Sequence, residues 1–158
     1  MTRSSADVDR ALARLATHDF GGHNPTEAQL RELVAADRSG PLHFVNLLAY
    51  RERAAYPAGH ELAARGLSGA EAYQRYGAVA VRHVVQRGGR LVALNDVAQT
   101  VIGGDDGWSQ VAIMEYPDTE AFLDMLADPD YASALVHRDA GLARTSVLVT
   151  RPLLPDSR

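Results

Sequence analysis

The chain of 158 residues contains no cysteine and no lysine; all sixteen of its basic residues are arginine. Without cysteine there is no disulfide, no thiolate nucleophile, no Cys-ligated zinc and no iron-sulfur cluster. Without lysine there is no Schiff base, no pyridoxal phosphate anchor and no Walker-A lysine. The net charge of -4, with acids and bases interspersed, lacks the basic stripe that counterion release on a nucleic acid requires. No apolar run is long enough to cross a bilayer, and MTRSSADVDRALARL has no signal-peptide core. Neither a nucleic-acid nor a membrane role is therefore expected, and the expected location is cytoplasmic. What remains is His, Tyr, carboxylate and Arg chemistry, or plain binding.

With 46% hydrophobic and 23% charged residues the composition is that of a globular domain. Val8, Leu12 and Leu15 recur at helical spacing in 5–18, with Ser5 or Asp7 as the N-cap. HDFGGHNP reads as loop. Thr26 and Gln29 form a capping-box pattern for a helix over 26–36 with Leu30, Leu33 and Val34 on one face. Residues 1–40 are expected to be a helical extension, 41–153 the main domain and 154–158 a disordered tail, with Asp37-Arg38-Ser39-Gly40-Pro41 as the boundary.

LHFVNLLAY, 42–50, suits a strand covered on both faces. Alternation places Phe44, Asn46, Leu48 and Tyr50 on one face and His43, Val45, Leu47 and Ala49 on the other. The connection that follows has no clear periodicity, and loops of its length are often functional or mobile. Ser68 can cap a helix over 69–87, which Gly88-Gly89 ends. Strands are expected over 90–102 and 108–116, joined by a turn at GGDDG, 103–107. Asp118 and Asp128 can cap two further helices, the second with Pro129 at its first position. Tyr131, Ala134, Leu135, Arg138 and Leu142 then share a buried stripe, and 145–151 is the last strand.

Strand, helix, strand, strand, helix, strand is the α+β, ferredoxin-like βαββαβ pattern: a four-stranded antiparallel sheet with helices on one side. Strands one and three are apolar on both faces, so a second copy is expected to cover the free face, giving a homodimer whose sheets pack into a barrel. FVNLL, GAEAYQRYG, the GG before strand two, W-x-x-V-A-I-M-E-Y-P and D-P-x-Y…R-x-A-G-L together resemble the family called domain of unknown function 1330, of the dimeric alpha+beta barrel superfamily, over about 42–152. The resemblance implies the same ferredoxin-like dimer and no agreed reaction. Wider relatives look like cofactor-free monooxygenases, polyketide-tailoring enzymes, haem degraders and muconolactone-type isomerases, which is analogy of fold alone.

Arg138 is the most pointed residue, since a guanidinium on an apolar helix face needs a carboxylate, carbonyl or ligand anion. Either it pairs with Glu115 or Asp96, or it clamps an anion or carbonyl at the mouth of a pocket between helices and sheet. Asn46 is expected to bond a ligand carbonyl or backbone groups. Tyr73 and Tyr76 either orient an aromatic ligand or belong to the core. His83, on the same side as Tyr76, and His43 are candidate general bases or structural histidines, and His137 points about 100° away from Arg138 and is expected to be exposed.

No HExxH or other dense spacing appears among the six histidines, Ser68 lacks nucleophile-elbow spacing, and GGDDG opens no helix. The expectation is a small-molecule enzyme without organic cofactor or metal, performing proton transfer, isomerisation, cyclisation or monooxygenation of a carbonyl-bearing or aromatic metabolite. His83, Tyr76 and Arg138 are its candidate catalytic residues; Asn46, Tyr73, Trp108 and Tyr131 would bind substrate. The alternative is a non-catalytic dimeric binding protein.

Overall fold

The structure is a computed structural model that describes residues 2–38, 40–104 and 106–154. Its elements are α1 (Ser5–Ala13), α2 (Glu27–Ala35), β1 (Leu42–Tyr50), α3 (Gly69–Gln86), β2 (Arg90–Asp96), β3 (Gln110–Tyr116), α4 (Thr119–Leu126), α5 (Pro129–Gly141) and β4 (Leu142–Thr150). The strands form one antiparallel sheet in the order β2-β3-β1-β4. This is the ferredoxin-like arrangement, with β1 and β3 central and each crossover carrying helices.

Local chemistry starts the helices. Thr26 and Gln29 close a full capping box on α2, and Ser68 and Glu71 close another on α3. Asp118 accepts from the Ala121 N–H, and Asp128 from that of Asp130 with Pro129 at the first position of α5. On α1 the cap is Ser4 rather than Ser5 or Asp7, and the helix ends at Ala13 instead of reaching His18. Gly88, at φ +79°, supplies the left-handed residue after α3.

Leu42 and Phe44 of β1 and Tyr116 of β3 point to the helices, where they pack with Val84, Leu123 and Met125. The Phe44 and Phe122 ring centroids lie 4.5 Å apart. Two glycines set the crossing of α3 and α5: a Cβ on Gly141 would stand 2.5 Å from the Gly69 carbonyl oxygen and 2.8 Å from the Tyr73 nitrogen. The helices therefore touch backbone to backbone. On the far face Val45 pairs with Ile113 and Leu148, and Leu47 with Val111. None of these five is buried, and Leu148 is 52% exposed.

Three expected boundaries move. β2 stops at Asp96, because Val101 and Ile102 find no partner strand and stand 80% and 93% exposed. β3 starts at Gln110, two residues later than Trp108. Leu142 leaves the helical stripe and begins β4, which runs directly out of α5. Of the expected boundary, turn and tail, Ser39, Asp105 and 155–158 lie outside the described residues.

The connection after β1 is pinned: the Arg51 and Ala55 N–H groups donate to the Gly141 and Ala140 carbonyls, and that of Ala54 donates to Leu67. Under it His137, expected to be exposed, is half-buried, hydrogen-bonded through Nδ1 to the Tyr56 hydroxyl at 2.9 Å. Ahead of β1, Arg3 and Arg14 tie the N-terminal segment to Glu120 of α4. Among the described residues no helix is long and apolar enough to cross a membrane.

Candidate functional site

A cavity of about 970 Å³ opens between the helix-facing side of the sheet, α3, α5 and the segment before and along α2. Asn46, Ala112, Met114 and Val147 lie along its sheet wall; Tyr73 and Tyr76 come from α3, Tyr131 and Arg138 from α5. A mostly apolar hollow with a few converging polar groups is the usual form of a small-molecule site. Leu94 and Val147 stand about half exposed here, so one side of the sheet wall is open.

Arg138 is only 7% exposed. Its Nε and Nη2 donate to Asp139 Oδ1 at 2.9 and 2.8 Å, and Nη2 also donates to Asn24 Oδ1 at 2.8 Å. The expected partners, Glu115 and Asp96, are elsewhere. Glu115 projects from the opposite face of the sheet, bound by Arg90 and His43, and Asp96 accepts from Gln110. The guanidinium carbon sits 5.9 Å from the Tyr76 ring centroid, so the cation is held against an aromatic wall.

The tyrosines form a chain. Tyr50 and Tyr73 rings lie 5.3 Å apart, as do those of Tyr73 and Tyr76, and the Tyr76 and Tyr131 hydroxyls meet at 2.7 Å. Burial pushes the phenols of Tyr73, Tyr76 and Tyr131 up, and that of Tyr50 to about 12, with Asp96 adding to the last. For Tyr76 the charge of Arg138 works against that rise. These groups are neutral donors at neutral pH, not bases.

Asn46 spends both amide hydrogens on backbone, donating to Phe44 and Ala112 carbonyls at 2.9 and 3.2 Å. It offers the cavity an acceptor, Oδ1, in place of the donor expected for a ligand carbonyl. Trp108 is not part of the wall: Arg144 of β4 stacks on it at 4.1 Å from the ring centroid.

His83 is buried, at 2% exposure, but outside the cavity lining. Arg87 Nη1, which can only donate, meets Nδ1 at 2.9 Å, so the ring proton sits on Nε2 and is donated to Asp130 Oδ2 at 2.8 Å. Arg87 also holds Asp124 and Asp128. His83 is thereby a tie between the end of α3 and the start of α5, with no lone pair left for a substrate. His43 likewise faces away, against Glu115 at 2.9 Å.

One histidine on the cavity wall carried no periodic signal. His23 lines it, with Nδ1 3.3 Å from Asp139 Oδ1, the oxygen that also accepts from Arg138. Its loop is closed by Asn24 N–H to Gly21 O at 2.9 Å and Gly21 N–H to Pro25 O at 3.1 Å, with Gly21 and Gly22 at φ +81° and +62°. The only hint in the sequence was the Gly-Gly-His-Asn-Pro turn itself. Among the described residues no three His, Cys, Asp or Glu side chains converge as a metal site.

The family model described as a domain of unknown function, DUF1330, matches residues 62–152. The chain belongs to this family. The match begins inside the connection after β1, so β1 and the segment carrying His23 and Asn24 lie outside it. Two solved structures of the RPA0582 protein are similar. One, of the methylated protein, is 38% identical with a TM-score of 0.76, covering 85% of this chain and 97% of that one. The other, described as a protein of unknown function from Rhodopseudomonas palustris, is 36% identical with a TM-score of 0.74, covering 86% of this chain and 100% of that one. SnoaB, a cofactor-independent oxygenase from Streptomyces nogalater, is similar at 18% identity and a TM-score of 0.46, over 75% of this chain and 100% of that one, too loosely to bear on function. No curated protein matches the chain.

Proposed function

We propose that the cavity binds a small, flat, largely apolar metabolite through a carbonyl or carboxylate oxygen, and that the protein is an enzyme acting on it without an organic cofactor. The observation that carries this reading is the placing of Arg138 and the Tyr76 and Tyr131 hydroxyls on one cavity wall. Negative charge developing on a ligand oxygen there would meet a cation and the O–H of whichever tyrosine accepts from the other, the arrangement that stabilises enolates and related oxyanions. Tyr73 would supply a flat face for the ring.

The test uses 1-naphthoate, a flat apolar anion, titrated calorimetrically. One site per chain is expected, weakened at least about tenfold, or ~1.4 kcal/mol, in Arg138→Met. Arg82→Met, whose native partner is Asp130 outside the cavity, should bind as the parent does. Equal affinity in Arg138→Met would remove the clamp.

A second reading, a binding protein that holds its ligand unchanged, is favoured by the donor-only character of the tyrosines and the locked state of His83. Mass spectrometry of the co-purifying ligand before and after incubation separates the two. We further propose that Val45, Leu47, Val111, Ile113 and Leu148, on the uncovered sheet face, meet the same patch of a second copy.

A further inference from the structure

We propose that His23 is the general base of this cavity, removing a proton from a carbon acid whose carbonyl or aromatic oxygen is held at Arg138. The inference rests on the reading of the cavity as a ligand site and names the group that turns binding into chemistry.

Asp139 Oδ1 is a carboxylate oxygen and only accepts, so the Nδ1 facing it at 3.3 Å carries the imidazole proton. Nε2 keeps its lone pair, and among the described residues it has no hydrogen-bond partner. A histidine with one nitrogen turned to a carboxylate and the other free is the form that general-base catalysis uses. His23 is also held in place. Its loop is closed on itself by the Gly21–Asn24 and Gly21–Pro25 bonds, and the neighbouring Asn24 accepts from Arg138. Asp139 therefore joins the base and the cationic clamp through a single oxygen. The two histidines that the sequence offered as bases do not fill the role: His83 has both nitrogens engaged, and His43 faces away from the cavity.

The substrate class follows from the geometry. It is a flat, apolar molecule with an ionisable C–H conjugated to an oxygen, so that charge released at carbon gathers at the oxygen beside Arg138. His23 Nε2 takes the proton, the C–H electron pair moves through the conjugated system, and the oxygen carries the negative charge until it is reprotonated or expelled.

5-Nitrobenzisoxazole poses this demand without knowledge of the natural substrate. Loss of its C3 proton to a base breaks the N–O bond, forms the nitrile and leaves the electron pair on a coloured phenolate oxygen. With the full chain, a rate that saturates with probe and is competed by 1-naphthoate is expected. In His23→Gln kcat should fall about 100-fold, within the range of a positioned base, while KM stays within about twofold. Independently of turnover, 15N imidazole shifts should report the Nδ1–H tautomer for His23, and unfolding curves of His23→Gln should overlay those of the parent. Saturable turnover that survives His23→Gln, or a His23 protonated on Nε2, overturns the base while leaving the cavity reading intact. If no saturable rate appears and 1-naphthoate does not bind, both fall together.

Discussion

One substitution, glycine to alanine, should have opposite effects at two places on the cavity's helices. At Gly141 an added Cβ meets backbone, the Gly69 carbonyl oxygen at 2.5 Å and the Tyr73 nitrogen at 2.8 Å, so no side-chain rotation relieves it. A carbon–oxygen contact is comfortable near ~3.3–3.6 Å, so α3 and α5 must part by roughly 1 Å. Overpacking of this kind destabilises by about 1–3 kcal/mol. Alanine's advantage over glycine in a helix, about 0.5–1 kcal/mol, offsets part of that. The net for Gly141→Ala is a loss of about 1 kcal/mol at mid-range and up to ~2.5 kcal/mol, or roughly 2–4 °C in Tm per kcal/mol for a chain of this size. At Gly77, inside α3 and on the cavity wall, the Cβ would meet nothing within 4 Å, so Gly77→Ala keeps the propensity gain of about 0.5–1 kcal/mol. Urea unfolding at fixed protein concentration, with midpoints compared at unchanged slope, reads both. Parting the helices also shifts Tyr73 and Tyr76 relative to Tyr131 and Arg138, so Gly141→Ala should weaken 1-naphthoate binding as well. A Gly141→Ala protein as stable as the parent would refute the backbone-contact account.

Ser68→Ala removes the hydroxyl that accepts from the Glu71 N–H, while the backbone N–H of residue 68 still donates to the Glu71 carboxylate, and should lower stability by about 1 kcal/mol, seen as an earlier urea midpoint; no shift would mean the cap is idle. Arg87 holds the Asp128 carboxyl, and Arg90 with His43 holds that of Glu115, below the usual carboxylate range. Because the folded values lie below the unfolded ones, this stabilisation is complete above the ordinary range, ~4, and is lost as pH falls through the folded values. The urea midpoint should therefore drop on acidification, and less steeply in Arg87→Met; equal slopes would remove the Arg87–Asp128 contribution. Sedimentation at micromolar concentration should give about twice the chain's 17.0 kDa, and Ile113→Glu on the uncovered sheet face should halve it. A monomeric parent would rule out pairing through that face.

What was legible in the chain was whatever is decided within a few residues. Thr26, Ser68, Asp118 and Asp128 announce helix starts because a cap is a bond to a backbone nitrogen two or three positions away. Strand length is different, since it depends on a partner. Val97, Val101 and Ile102 have β-branched side chains, yet the ladder to β3 ends where Asp96 meets Gln110, and Trp108 turns to Arg144 instead. The site divides the same way. Helical spacing places Arg138, Tyr131 and Tyr73 on apolar stripes and Tyr76 on the flank of one, and all four line the cavity. The same spacing places His83 on that flank too, but its role was decided by Arg87, four residues on, and by Asp130, 47 residues on, which occupy both of its nitrogens. Periodicity reports that a side chain is inside; it does not distinguish packed core from cavity wall.

His23 is the converse case, in a turn with no period at all. It reaches the cavity wall only because Asn24 and Asp139, 114 and one residue from Arg138, close around the same guanidinium. The chemistry of this site therefore depends on a segment ahead of the residues the family model matches. Removing that segment would strip Arg138 of its Asn24 contact and the cavity of its free imidazole while leaving α3, α5 and all four strands in the chain. On this reasoning members of the family that share the sheet and the tyrosines but lack a histidine in this position would bind flat apolar ligands without deprotonating them. Proton transfer would then be a property of this turn, and ligand binding a property of the fold.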